Sequence, residues 1–77
     1  MEIIILGTGC PKCKSLEKLT REVVEKSGLE AQVSKEEDIM KIMEYGVMKT
    51  PGLVVDGKVV LSGRLPSEKE LTELLTQ

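Results

Sequence analysis

The sequence predicts an α/β fold, a four-stranded mixed sheet flanked by three helices in the order β-α-β-α-β-β-α. Three observations carry that expectation. An apolar, β-branched run, Ile3-Ile4-Ile5-Leu6, opens the chain and suits a strand covered on both faces. Two longer segments repeat apolar residues at helical spacing between cap residues and glycine or turn signals. Asp56-Gly57 separates two short valine- and leucine-rich runs, the pattern of a tight hairpin. The helix between the first two strands favours pairing them in parallel, and the hairpin supplies an antiparallel pair.

Element by element, Gly7-Thr8-Gly9 ends the first strand, and Pro11 suits the first turn of a helix, where its missing N–H is not needed. That helix is expected to run to about Ser27, with Gly28 as its C-terminal stop. Its apolar stripe is Cys13, Leu16, Leu19 and Val23, with Val24 beside it, so Cys13 falls on the core face. Glu30 to Val33 reads as a short second strand. Ser34 with Glu37 forms a capping-box pattern for a second helix that turns Ile39, Ile42 and Met43 inward and stops near Gly46. Thr50-Pro51-Gly52 punctuates the chain before Leu53-Val54-Val55, and Lys58-Val59-Val60-Leu61 returns after the turn until Gly63. Ser67 with Glu70 is a second capping box, leading into a helix with Leu71, Leu74 and Leu75 on one face.

Seventy-seven residues, 1–77, read as one domain near the lower size limit for folding without metal or disulfide support. With no Phe or Trp and one aromatic, Tyr45, the core is expected to consist of Ile, Leu, Val and Met, with Met40 and Met43 as filler. Tyr45 is expected to cap that core with its hydroxyl in water. A net charge of −2 with mixed signs gives no general attraction to nucleic acid or to a membrane surface. No stretch reaches the roughly 20 apolar residues of a membrane span, and the N-terminal run lacks the basic flank of a signal peptide. The expected setting is therefore cytoplasmic and the expected state a monomer; in the cytosol a close cysteine pair is usually catalytic or metal-binding.

The chain's two cysteines stand in Cys10-Pro11-Lys12-Cys13, after the first strand and at the mouth of the first helix. A disulfide closing so short a loop removes little unfolded-state entropy, which makes stapling a poor purpose for it. Two thiols at a helix start suit reversible dithiol–disulfide chemistry. Cys10 falls at the N-cap, where backbone N–H groups and the helix dipole favour an anion, and Lys12 and Lys14 add positive charge. These effects lower a thiol from its ordinary pKa of ~8.5 and favour the thiolate that attacks disulfides. Lys14 reads first as a solvated surface residue, and so do Lys12 and Lys49 when taken as a basic rim.

A first strand, then C-P-x-C opening a helix, then Thr50-Pro51 before a hairpin and a final helix, resembles the thioredoxin fold over the whole chain. Gly7-Thr8-Gly9-Cys10, Thr50-Pro51-Gly52 and Val55-Asp56-Gly57-Lys58 together resemble the small thioredoxin/glutaredoxin-like redox-active disulfide proteins of archaea and bacteria. The resemblance implies a thiol–disulfide oxidoreductase with no cofactor beyond the reversible Cys10–Cys13 disulfide. Cys10 is then the nucleophile and Cys13 the resolving thiol, supported by Pro11 and Lys12. It further implies a cis bond between Thr50 and Pro51, with both residues facing the substrate, a disulfide-containing protein. The upstream reductase would be a flavin-dependent thioredoxin reductase or glutathione.

Several positions depart from the pattern. Thioredoxins carry a Trp before the motif and Gly-Pro within it, where this chain has Gly9 and Pro11-Lys12. They also bury a carboxylate on the strand leading to the motif, near Ile4 here, and this strand holds no acid beyond Glu2. The second thiol's proton then leaves by another route, such as water. Where glutaredoxins hold glutathione with Gly-Gly and Asp, this chain has Ser62-Gly63-Arg64-Leu65-Pro66-Ser67.

The alternative is a small module binding Cu(I) or Zn through the cysteine pair. Small heavy-metal-associated domains have the order β-α-β-β-α-β, however, and would need a strand where Ser67 to Thr76 shows a capped helix. With two Cys and no His, a closed zinc site would need a second copy of the chain. Phosphate-loop and dinucleotide readings fail for want of glycines at Thr8, Lys12 and Cys13.

Overall fold

The computed structural model describes residues 1–76. It contains β1 (Glu2–Leu6), α1 (Pro11–Ser27), β2 (Gln32–Glu36), α2 (Ile39–Glu44), β3 (Gly52–Val55), β4 (Lys58–Ser62) and α3 (Glu68–Thr76). The four strands form one mixed sheet in the order β2-β1-β3-β4. β1 runs parallel to β2 and antiparallel to β3, and β3 pairs antiparallel with β4. The predicted order and sheet are those observed.

Alternation along β1 divides its side chains between two cores. Ile3 and Ile5 pack with Leu16 and Val23 of α1 and with Leu71 and Leu75 of α3, while Leu53 and Leu61 complete that cluster from β3 and β4. Leu6 and the half-buried Ile4 face the other way, onto Ile42 of α2, Val47 and Val54. A run of four apolar residues is tolerated because both faces of this strand are covered.

α1 has the ends its sequence implies. Cys10 is the N-cap, Pro11 opens the first turn, and Gly28 closes the helix in the left-handed region at φ 64°. Its buried stripe is Cys13, Leu16, Thr20 and Val23, with Leu19 and Val24 only partly buried. The hairpin turn places Asp56 (φ 49°) and Gly57 (φ 84°) in the left-handed region, as a two-residue turn between twisted strands requires. Asp56 exchanges two 2.8 Å hydrogen bonds with the Glu2 backbone, accepting from its N–H through Oδ1 and donating its own N–H to its carbonyl. That contact ties the turn to the start of β1.

Three expectations are corrected. The second strand lies at Gln32–Glu36, starting two residues and ending three residues beyond the expected Glu30 to Val33, because all five residues of β1 find parallel partners there. Ser34 consequently pairs opposite Ile4 within the sheet, and the Ser34/Glu37 capping box does not form. Asp38 caps α2 instead, its Oδ1 accepting from the Met40 N–H at 2.9 Å. Finally, α2 is six residues long and turns only Ile42 onto the sheet. Ile39, Met40 and Met43 face solvent, as do Met1 and Met48, so methionine contributes nothing to the buried core.

At α3, the Ser67 hydroxyl accepts from the Glu70 N–H at 3.2 Å, one half of the expected capping box. The Glu70 carboxylate turns instead to Arg64 in a two-pronged ion pair. Hydrogen bonding from that guanidinium holds the Glu70 carboxyl below its usual range and the Arg64 group above its own.

Candidate active site

The C-terminal end of β1 delivers the chain to the site. Gly7, the first residue beyond the strand, donates its N–H to the Glu36 carbonyl at 3.0 Å, extending the parallel ladder by one bond. The chain then passes through Thr8 and Gly9, the latter at φ 89°, and enters α1 at Cys10. Cys10 and Cys13 are joined by a disulfide, with Cα atoms 5.1 Å apart, within the ordinary range for such a bond.

The two cysteines occupy unlike environments. Cys10 is half-buried in the extended conformation of an N-cap (φ −68°, ψ 162°), and its Sγ accepts the Cys13 N–H at 3.3 Å. Its carbonyl accepts from the Lys14 N–H at 3.0 Å, the first full bond of the helix. Sulfur thus stands where a capping oxygen usually stands, in the field of the helix N-terminus. Cys13 is 4 % exposed and belongs to the core stripe of α1.

Gly7 fits against Cys13 with no room to spare. A Cβ on Gly7 would lie 2.8 Å from the Cys13 Cβ and closer still to its sulfur, so only hydrogen fits between strand end and thiol. Sequence reasoning gave Gly7 the role of a strand breaker and missed this contact.

Thr50 and Pro51 arrive from the opposite direction. Their peptide bond is cis, Pro51 is buried, and the Pro51 carbonyl accepts the Gly63 N–H at 2.9 Å. Because β3 is antiparallel to β1 and Gly52 pairs with Leu6, Pro51 sits at the same sheet end as Gly7 and the cysteine pair. Lys12 and Lys49 are exposed, and neither has an ion-pair partner among the described residues. Tyr45 lies at the C-cap of α2, partly exposed.

A side pocket opens next to the disulfide. Its volume is about 70 Å³, and its walls include Ile5, Gly7, Cys13, Lys14, Glu17 and Lys35. Glu17 and Lys35 were not singled out in the sequence. The i, i+4 spacing of Cys13 and Glu17 was the available signal for one of them.

Among the described residues, no group of three or more Cys, His, Asp or Glu side chains is placed to hold a metal ion. No helix among the described residues is long and apolar enough to cross a membrane. The element order observed, ending in α3, is not the β-α-β-β-α-β of the metal-binding alternative.

Comparison with known proteins agrees with this geometry. A family model described as "Thioredoxin domain" matches residues 1–76. A protein named "Thioredoxin" from Methanothermobacter thermautotrophicus is 41% identical over 76 residues, covering 99% of each chain. Another "Thioredoxin", from Methanocaldococcus jannaschii, is 40% identical over 73 residues, covering 95% of this chain and 84% of its own. A cysteine pair joined across the first turn of α1, on this sheet and with family likeness over nearly its full length, makes the chain a member of the thioredoxin family, a thiol–disulfide oxidoreductase.

Proposed function

We propose that Cys10 is the attacking thiol and Cys13 the resolving one. The observation that carries this reading is the asymmetry across the first turn of α1. Cys10 Sγ caps the helix and accepts the Cys13 N–H, whereas Cys13 is buried in the helix stripe. A thiolate at Cys10 keeps that hydrogen bond and the favourable end of the helix dipole. It attacks one sulfur of a substrate disulfide and releases the other as a thiolate. Cys13 then attacks the Cys10 sulfur of the mixed disulfide, releasing the second substrate sulfur and forming the Cys10–Cys13 bond.

The chain's partners are disulfide substrates and a reductase that restores the dithiol. Within that frame, we assign Thr50, which is partly exposed, to the surface that meets the substrate protein, the buried Pro51 to holding that segment beneath it, and Pro11 and Lys12 to supporting the nucleophile. Their position at the sheet end shared with Cys10 supports this. A flavin-dependent reductase is the preferred donor over glutathione. Arg64, in the segment that differs from the glutaredoxin pattern, is engaged by Glu70 and not free for a carboxylate ligand. A cytoplasmic, monomeric protein is the setting this chemistry suits, since the dithiol must be kept reduced.

Trapping tests the assignment of roles. Cys13→Ser should accumulate covalent mixed disulfides with substrate proteins, visible on non-reducing gels and reversed by dithiothreitol, and Cys10→Ser should not. The opposite pattern would exchange the two roles.

A further inference from the structure

The resolving step releases a proton from a buried thiol, and β1 carries no acid near it to receive that proton. Glu2 lies at the far end of the strand, its backbone bound to Asp56. The pocket beside Cys13 contains a carboxylate from another element. Glu17 follows Cys13 by one helical turn on the same face of α1, and both residues line the pocket, as does Lys35 of β2. At about 70 Å³ the pocket is large enough to hold water against the walls that Cys13 and Glu17 share.

From this arrangement we infer that Glu17 accepts the Cys13 proton through water in the pocket and that Lys35 and Arg21 position its carboxylate. The inference rests on the resolving role of Cys13 proposed above. Arg21 Nη2 donates to Glu17 Oε2 at 3.0 Å, and Nε donates to the same oxygen at 3.3 Å. Lys35 Nζ lies 3.9 Å from Oε1. The side chain is 24% exposed, so it reaches both the pocket and bulk solvent. Lys14 of α1 and Glu37, which follows β2, complete the charged rim; Glu37 Oε1 is 3.7 Å from Lys35 Nζ. The step balances. The Cys13 S–H bond breaks as its electron pair attacks Cys10 Sγ, the mixed disulfide opens to release a substrate thiolate, and the proton passes through water to Glu17 and on to solvent.

Two roles for Glu17 predict opposite effects. A carboxylate acting only as a nearby negative charge disfavours the Cys13 thiolate, so removing it would speed resolution. A proton acceptor assists resolution, so removing it slows the step. The test is stopped-flow oxidation of the reduced full chain by 5,5′-dithiobis(2-nitrobenzoate). Attack by Cys10 releases one chromophoric thiolate, and resolution by Cys13 releases the second, which reports the two steps separately. Glu17→Gln should slow the second release about tenfold near neutral pH, less than ideal acid–base assistance because a carboxylate is a weak base for a thiol. The first release should be little changed, and Glu17→Asp should recover part of the loss. The deficit should shrink as pH rises beyond the ordinary thiol range of ~8.5, where hydroxide competes for the proton. An unchanged or faster second release in Glu17→Gln, or an equal slowing of both, overturns the inference. A wild-type protein that gives no second release, or gives it equally well as Cys13→Ser, overturns the role assignment of the cysteines instead.

Discussion

Gly7 is a residue whose missing side chain shapes the site. Its φ is unexceptional, so nothing in the backbone demands glycine; the demand comes from Cys13 packed against it. Gly7→Ala should destabilise the protein by about 2 kcal/mol, the usual cost of forcing a methyl group into a filled site, as measured by urea unfolding. Gly9→Ala is a useful control, since strain at φ 89° is expected there without any close contact to the cysteines. The cysteine pair could be read from the sequence because its chemistry depends on a three-residue separation and a helix start, both local. Gly7's contact, and the meeting of Glu17 with Lys35, depend on how α1 lies over the sheet, which no local pattern encodes.

At the scale of elements, the three helices differ in what holds them. α1 and α3 each contribute two residues to one core cluster, whereas α2 has a single buried side chain, Ile42. Ile42→Ala should therefore cost about 3 kcal/mol in chemical denaturation, and Met43→Ala, next to it in sequence, less than ~0.5 kcal/mol. The ends of α1 were legible because Pro11 and Gly28 each suit one specific helix position. The boundary between β2 and α2 was not. Ser34 and Asp38 can both cap a helix, and the choice was made by the parallel ladder with β1, a long-range pairing that claims Ser34 first. Ile39 and Met43 have helical spacing, but six residues of helix present only one position to the sheet.

Across the whole molecule, the sheet divides two unequal cores. The cluster under α1 and α3 contains eight buried residues, and the one under α2 contains four. Local opening should follow that division. Hydrogen exchange is expected to be fastest among the helices at α2 and slowest at the centre of α1 and in β1 and β3; equal protection of α1 and α2 would contradict it. The edges of the sheet are guarded by polar residues. β2 exposes Gln32, Ser34 and Lys35, β4 begins with Lys58, and a register shift interrupts its pairing with β3 between Leu53 and Val54. The global topology was legible because strand, helix and hairpin signals agreed in order, which leaves few ways to connect them.

The outward methionines have a further consequence for a protein that works with sulfur oxidation states. Peroxide converts an exposed thioether to a polar sulfoxide, and a sulfoxide formed inside a core would disrupt its packing. Here all four thioethers lie outside the two buried clusters, Met48 at 91% exposure only two residues before Thr50. An oxidant can therefore modify every methionine of this chain while its interior, built of isoleucine, leucine and valine around Cys13, offers no second kind of sulfur to attack.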